Sequence, residues 1–358
     1  MPFDTTGGLD PGFDYLLGER PEEPLMRDCV SMWISDSAGR FGFPRVAVEA
    51  VGEVWGNSGL QVNIAFPDGR VLKSAGGFPV APPKVVDGKT VTINAGPLTF
   101  EVKEPLRHWT MRFDGEAYET TVAAQYEGVR TGSSKHVVIE VDAKMAVPPW
   151  TPGAGAATVG DQATALAVGA IGGHRHEQLF HCTGRFMLEN EAERTFAGTG
   201  LRIRRTGVRI VGEFPGHCWM SALFPSGKAF GILAFPPRSD GTPAYSEAFV
   251  FDGGAVRYGK VVEAPWLKRF EPHGGRCDIG IALDDRGTVA IAGRTHCTTF
   301  APPRTPMFGS WAYTADSGGM NIPFAQGDAL YTWDGEQAFG MTERSLPFTQ
   351  WTDQEQSA

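Results

Sequence analysis

Lys89-Thr-Val-Thr-Ile93, Leu98-Thr-Phe-Glu-Val102 and His108-Trp-Thr-Met-Arg-Phe113 are three short runs rich in β-branched and aromatic residues. Gly96-Pro97 separates the first two, and the third runs into Asp114-Gly115. Apolar and polar side chains alternate along each run, the period of a half-buried strand and not of a helix. Gly and Pro between the runs favour turns over continued ladders. Successive antiparallel hairpins are the simplest fold for this rhythm.

The rhythm continues on both sides. Upstream stand Ser31-Met-Trp-Ile34, Arg45-Val-Ala-Val-Glu-Ala-Val51 and Gln61-Val-Asn-Ile-Ala-Phe66, and downstream Lys135-His-Val-Val-Ile-Glu-Val-Asp142 alternates clearly. Asp-Gly pairs at 68, 87 and 114 mark expected hairpin turns. Further strands are expected at 175–188, 198–205, 208–214, 217–224, 228–235, 245–251, 255–262, 277–284, 288–292, 309–315, 328–333 and 337–345, with turns at 240, 252, 286 and 334. Val147-Pro-Pro-Trp-Thr-Pro-Gly-Ala-Gly155 has linker composition, and Asp161-Gln-Ala-Thr-Ala-Leu-Ala167 suits a short helix. The expectation is an all-β chain. An irregular arm (1–30) precedes a first lipocalin-like domain (31–150), a linker (151–172) and a second lipocalin-like domain (173–358). Each lobe is an antiparallel barrel or sandwich, because closure removes exposed edges. A chain of 358 residues exceeds one ordinary core, in keeping with two lobes.

Composition bounds the partners. Hydrophobic residues at 42% are enough for real cores. A net charge of -9 argues against nucleic acid and against anionic membrane surfaces, both of which need a basic face. Met1 to Asp14 shows neither the basic flank nor the apolar segment of a signal peptide, and no stretch is long enough to span a bilayer. The five cysteines are scattered with no Cys-x-x-Cys, so reduced, buried thiols are expected. Together these predict a cytoplasmic protein not inserted in a membrane, and identify no ligand; the apolar interior that barrel lobes offer makes a small hydrophobic molecule the expected partner, and a homodimer is compatible with the reading.

The densest polar cluster is His174-Arg-His-Glu-Gln-Leu-Phe-His-Cys-Thr183. In a strand His174, His176, Gln178, Phe180 and Cys182 share one face, which reads as internal and puts His176 and Gln178 in a barrel mouth. His-x-His invites a metal, but no glutamate and later histidine follow at the spacing of a cupin site, so a hydrogen-bonding pair is the preferred reading and no metal is expected. His217 and Trp219 share a face of the next polar-aromatic strand. Tyr245, Glu247, Phe249 and Phe251 alternate on another, as do Phe339, Met341 and Glu343 on the last. A carboxyl in an aromatic row is either an acid with a raised pKa or a barrel-exterior glutamate. Arg202, Arg204 and Arg205 form a basic knot that either holds a substrate anion or pairs with acids at a lobe interface. No Gly-x-Ser-x-Gly elbow, phosphate loop or dinucleotide fingerprint is present.

His176-Glu177-Gln178, the glycines and arginine of Gly198-Thr-Gly-Leu-Arg202, Trp219, Phe339-Gly-Met-Thr-Glu343 and, in the first half, Trp109-Thr-Met-Arg-Phe-Asp-Gly115 resemble the carotenoid 1,2-hydratase (hydroxyneurosporene synthase) superfamily. The likeness runs over most of 30–345. Where that superfamily carries Asp, Ser and Trp, this chain has Ile203, Arg205 and Thr206. The resemblance implies two lipocalin-like lobes and a cofactor-independent hydratase, dehydratase or isomerase acting by acid catalysis on an isoprenoid-like alkene or alcohol. The alternatives are a non-catalytic carrier of a hydrophobic metabolite and a cyclase-like template. On the first reading Glu343 or Glu247 is the acid and His176, with Gln178, places water or a hydroxyl. Trp219, Tyr245, His217, Arg202 and Phe339 line the substrate.

Overall fold

The computed structural model describes residues 4–154, 173–208, 215–237, 245–283, 287–303 and 322–352. The helix expected at 161–167, the strands at 209–214 and 309–315 and the turns at 240 and 286 lie outside them. The first lobe holds β1 (Met26–Asp36), β2 (Gly42–Val51), β3 (Asn57–Ala65), β4 (Arg70–Pro79), the two-residue strands β5 (Val85–Val86) and β6 (Lys89–Thr90), β7 (Thr92–Ala95), β8 (Leu98–Glu104), β9 (His108–Thr121), a short helix α1 (Val122–Tyr126), β10 (Ser133–Met145), β11 (His174–Leu188) and β12 (Arg194–Val208). The second holds β13 (His217–Leu223), β14 (Ala229–Ala234), β15 (Ser246–Asp252), β16 (Ala255–Glu263), β17 (Ile279–Leu283), β18 (Gly287–Ala301), β19 (Phe324–Trp333) and β20 (Glu336–Ser345).

In the first lobe the sheet runs β10-β11-β12-β1-β2-β3-β4-β9, and β9 pairs back onto β10, so the ring returns on itself with β8 and β7 branching from β9. β13 to β20 form a closed antiparallel barrel in chain order. Closure removes free edges from both. The topology corrects the expected boundary at 173. β11 pairs with β10 (Val137 opposite Leu188) and β12 with β1 (Met26 opposite Val208), so residues 174–208 complete the first ring and the second lobe starts at His217. The arm also ends earlier than expected, because β1 starts at Met26.

Turn chemistry explains most connections. Asp87-Gly88 and Asp334-Gly335 take positive φ at both residues, the conformation a tight hairpin turn demands. Asp114-Gly115 is a correction: β9 runs straight through it, paired with Val138 and Val137 of β10, because a long partner strand outweighs a local turn signal.

Parity divides the side chains. Met32, Phe43, Val62, Phe100, Phe113, Ile139 and Phe186 fill the first lobe, and Met220, Phe230, Ile232, Val250, Ile281 and Tyr331 fill the second. A third apolar cluster joins them: Trp33, Trp150, Leu179 and Leu201 of the first lobe meet Trp219, Leu233, Tyr245, Phe249 and Met341 of the second. These residues point away from their own barrel interiors. The lobes therefore pack outer face to outer face, and each large apolar side chain buried there contributes ~1.5–3 kcal/mol. All five cysteines are buried and free of disulfides.

Candidate active site between the lobes

β11 carries polar residues on both faces, and the two faces have different company. His176, Gln178 and Arg202 point into the end of the first barrel, where the N-terminal arm inserts Asp14. Asp14 Oδ1 accepts from Arg202 (2.6 Å) and meets His176 Nε2 (3.0 Å), and its Oδ2 accepts from the Leu106 N–H (2.6 Å) and Trp109 Nε1 (2.8 Å). Gln178 donates to the carbonyls of Thr5, Leu106 and Val147 and accepts from Arg202. The Arg202 guanidinium also lies 4.6 Å from the Trp109 ring centre. Burial pushes the Asp14 carboxyl up, but Arg202 and His176 reverse this and hold it well below the usual carboxylate range. Burial brings the His176 imidazole down to about 4. This network fills the barrel end, and His176, Gln178 and Arg202, expected to position a ligand, are all engaged in it. His176 Nδ1 is in contact with His174 (3.2 Å), on which Phe13 stacks. Among the described residues no group of three or more His, Cys, Asp or Glu is arranged to hold a metal ion.

The opposite face of β11 and β12 turns toward the second lobe. Across that lobe's outer face the strand register builds one continuous row: Gln326, Glu343, Trp219, Leu233 and Glu247, on β19, β20, β13, β14 and β15. Glu343 is clamped. His217 Nε2 lies 2.8 Å from Oε1, and Gln326 Nε2 donates to Oε2 at 2.5 Å. Ser345 Oγ accepts from the His217 backbone N–H (2.9 Å) and meets His217 Nδ1 at 2.7 Å. We assign the Ser345 proton to Nδ1, which directs the Nε2 proton at Glu343. Gln326 in turn accepts from Gln61 and Asn63 of β3, so this chain of hydrogen bonds crosses from lobe to lobe. Burial pushes the Glu343 carboxyl up, but His217, Arg45 and Gln326 outweigh it and hold the group below the ordinary range. That direction is opposite to the one a protonated acid needs, and it suits Glu343 as an acceptor.

Arg45 owes its place to strained backbone. The β2–β3 register shifts between Gly42 and Val46, and Arg45 takes φ 73°, putting its guanidinium 5.5 Å from the Trp33 ring centre. Trp33 packs edge-on to Trp219 at 4.8 Å.

At the other end of the row Glu247 accepts from Tyr245 Oη, the Gly153 N–H and, at 3.5 Å, Trp150 Nε1. Burial and the adjacent Glu247 carboxyl raise the Tyr245 phenol well above its usual range. Glu177, on β11, bonds Arg175 and accepts from Trp219 Nε1 (3.0 Å); burial pushes its carboxyl up despite the arginine. Ile203, where the resemblance places an aspartate, is the cross-strand neighbour of Glu177.

Of the residues singled out in the sequence, the fold gathers Glu343, Glu247, Trp219, Tyr245 and His217 on one buried face. Phe339 stands at the rim, its ring against Gly39 and 4.7 Å from His296. Sequence reasoning missed Asp328, Gln326, Ser345, Arg45 and the Gln61/Asn63 pair. The Gln326-Gly-Asp328 alternation is the one local signal that marked two of them. Several buried polar atoms facing this region have no hydrogen-bond partner among the described residues: Trp33 Nε1, Gln61 Oε1, Asn63 Oδ1, Ser221 Oγ and Asp328 Oδ1. An open groove of about 1150 Å³ lies elsewhere, on the outer face of β8 to β12. Its charges pair with one another (Arg112 and Arg185 with Glu140, Arg40 with Asp36), as on a solvated surface.

No family profile matches the chain, and no curated protein matches it in sequence. Solved structures do match its fold. CghA with Sch210972 aligns over 97% of this chain and 98% of its own at 12% identity and a TM-score of 0.58. A second CghA structure aligns over 91% and 89% at 13% identity and a TM-score of 0.56. A putative AttH from Nitrosomonas europaea aligns over 93% and 99% at 12% identity and a TM-score of 0.50. The chain shares the fold of these proteins over more than nine-tenths of its length, and that fold has two tandem β lobes, as expected from the sequence. No helix among the described residues is long and apolar enough to cross a membrane.

Proposed function

We propose that this protein is a lyase or isomerase that moves a proton on a small, largely apolar alkene or alcohol held between its two lobes. The observation that carries the reading is the Glu343–His217–Ser345 chain, buried beside Trp219 and tied to the opposite lobe through Gln326. A carboxylate kept ionised beside an imidazole fixes that ring and stabilises the charge it carries once it takes up a proton. Hydration and dehydration share the same parts. In hydration the pair takes a proton from the water that adds; in dehydration, the same path in reverse, it returns one to the leaving hydroxyl. Trp33 and Trp219, in edge-on contact, form one aromatic wall of the site. Apolar walls exclude competing water. A fold neighbour solved with a small molecule, Sch210972, is in keeping with a ligand-binding role for this architecture.

The test is incubation with a panel of tertiary allylic prenyl alcohols and the matching dienes in D2O, followed by gas chromatography and mass spectrometry. Turnover with deuterium at the carbon bearing the new bond is expected, and Glu343→Gln should lower it about 10²–10⁴-fold. Tight binding of the same compounds with no turnover and no exchange would contradict catalysis and favour the carrier reading.

A further inference from the structure

Of the carboxyls buried on the faces where the lobes meet, Glu49 accepts from Arg27 and three others have both oxygens committed. Glu343 is held by His217 and Gln326, Glu177 by Arg175 and Trp219, and Glu247 by Tyr245, Gly153 and Trp150. Asp328 differs. It is 2% exposed, and among the described residues its Oδ1 is the one buried carboxyl oxygen without a hydrogen-bond partner. A buried acceptor left unpaired costs stability, so its retention calls for an explanation in function.

Its surroundings are specific. Asp328 lies opposite Met341 on β20, which lies opposite Ser221 on β13, and the Ser221 hydroxyl is also without a partner. One residue pair along, Gln326 faces Glu343, so Asp328 and Glu343 are diagonal neighbours on one sheet face with backbones about 7 Å apart. From the first lobe, Gly42 makes room for the carboxyl: a methyl there would stand 2.2 Å from Oδ2. Ser35 on β1 works against the carboxyl's burial, and Cys297 Sγ on β18 lies 3.8 Å from Oδ2. The charged group that acts on it from β1 is Asp36, which is negative. Burial and that charge push the Asp328 carboxyl well above the usual range, while His217 and Arg45 do the reverse to Glu343. Two carboxyls on one face, driven in opposite directions by their neighbours, are the arrangement that divides acid and base roles.

We propose that Asp328 is the general acid of the inter-lobe site, presenting Oδ1 to the substrate and working with the Glu343–His217 pair as base. The inference rests on the acid–base reading given above. In hydration the Asp328 O–H bond breaks as its proton forms a C–H bond with the alkene. Water adds to the resulting cation, and the proton that water loses passes to the Glu343–His217 pair. Exchange with solvent returns both groups to their starting states. Dehydration is the same path in reverse: the protonated pair gives its proton to the leaving hydroxyl, the C–O bond breaks and water departs, and the Asp328 carboxylate takes the vicinal proton as the C=C bond forms. The substrate is then a substituted alkene or its alcohol, which needs an acid in a way that a pericyclic rearrangement does not.

Two measurements test it. Infrared spectroscopy of the protein labelled with ¹³C-aspartate should show the C=O stretch of a protonated carboxyl at neutral pH. That signal should be lost in Asp328→Asn, kept in Glu343→Gln and shifted in Gly42→Ala. Its absence from the unsubstituted protein would overturn the proposal without relying on any variant. In the D2O assay Asp328→Asn should lose about 10²–10⁴-fold in turnover together with the alkaline limb of the pH profile, whereas Glu343→Gln loses the acid limb. Full activity in Asp328→Asn beside an inactive Glu343→Gln would overturn the role of Asp328 alone. Full activity in both would overturn the acid–base reading of the site itself.

Discussion

The two faces of β11 hold polar clusters of similar size built to opposite standards. On the inner face both oxygens of Asp14, both ring nitrogens of His176 and both ends of Gln178 have partners. On the outer face, between the lobes, Trp33, Gln61, Asn63, Ser221 and Asp328 each keep a buried polar atom without one. Among the described residues the inner cluster leaves the Nε atoms of Arg202 and Arg204 unpaired, each on a guanidinium held at its other nitrogens, whereas the outer one leaves carboxyl, amide, hydroxyl and indole atoms unpaired at a standing cost that a further role offsets. The inner cluster is therefore read as structure and the outer one as site, although His-x-His made the inner cluster look the more chemical in sequence.

The sharpest way to break this contrast is Asp14→Ala. It leaves Arg202 buried without its carboxylate and should cost about 3–5 kcal/mol, seen as a lower denaturant midpoint. Turnover per folded molecule should stay unchanged, and a loss of turnover at intact stability would place the site inside the first lobe. The next effect is a pH dependence. The folded His176 titrates at about 4 against an unfolded value of 6.5, so below 6.5 the unfolded chain binds a proton that the folded one refuses. Stability contributed by the neutral imidazole is present above pH 6.5 and is lost as pH falls toward 4. Asp14 adds its own loss at still lower pH, as its depressed carboxyl protonates. His176→Asn should flatten the upper part of that decline in urea titrations at stepped pH. The smallest effect belongs to the outer face. Ser221→Ala deletes a hydroxyl that has no partner and should change stability by less than about 0.5 kcal/mol. It should still weaken ligand binding, which calorimetry with a prenyl alcohol would register.

Much of this was legible in sequence because strand parity is local. Glu343, Trp219, Glu247, Tyr245 and His217 were each assigned to a face by alternation alone, and those faces converge. What alternation does not give is what covers a face. Glu247 read equally as a cavity acid and as a barrel-exterior glutamate; it is exterior to its own barrel and buried by the other lobe. The role of His176 depends on Asp14, a partner far away in an arm with no strand signal. Asp328 escaped because the expected strand began at that residue, cutting off the Gln326/Asp328 alternation. The boundary at 173 failed for the same reason. Closure of the first ring by β11 and β12 is a long-range pairing, and a Pro- and Gly-rich connection before them looks the same within a domain as between two.

The central claim is that the ligand lies between the lobes and not inside either barrel. Photolabelling with a diazirine-bearing prenyl alcohol, followed by peptide mass spectrometry, tests it directly. Label on peptides carrying Trp33, Trp219, Asp328 and Met341, removed by competition with the parent alcohol, is the predicted result. Competed label confined to interior residues such as Phe230, Ile281 and Tyr331 would contradict the account.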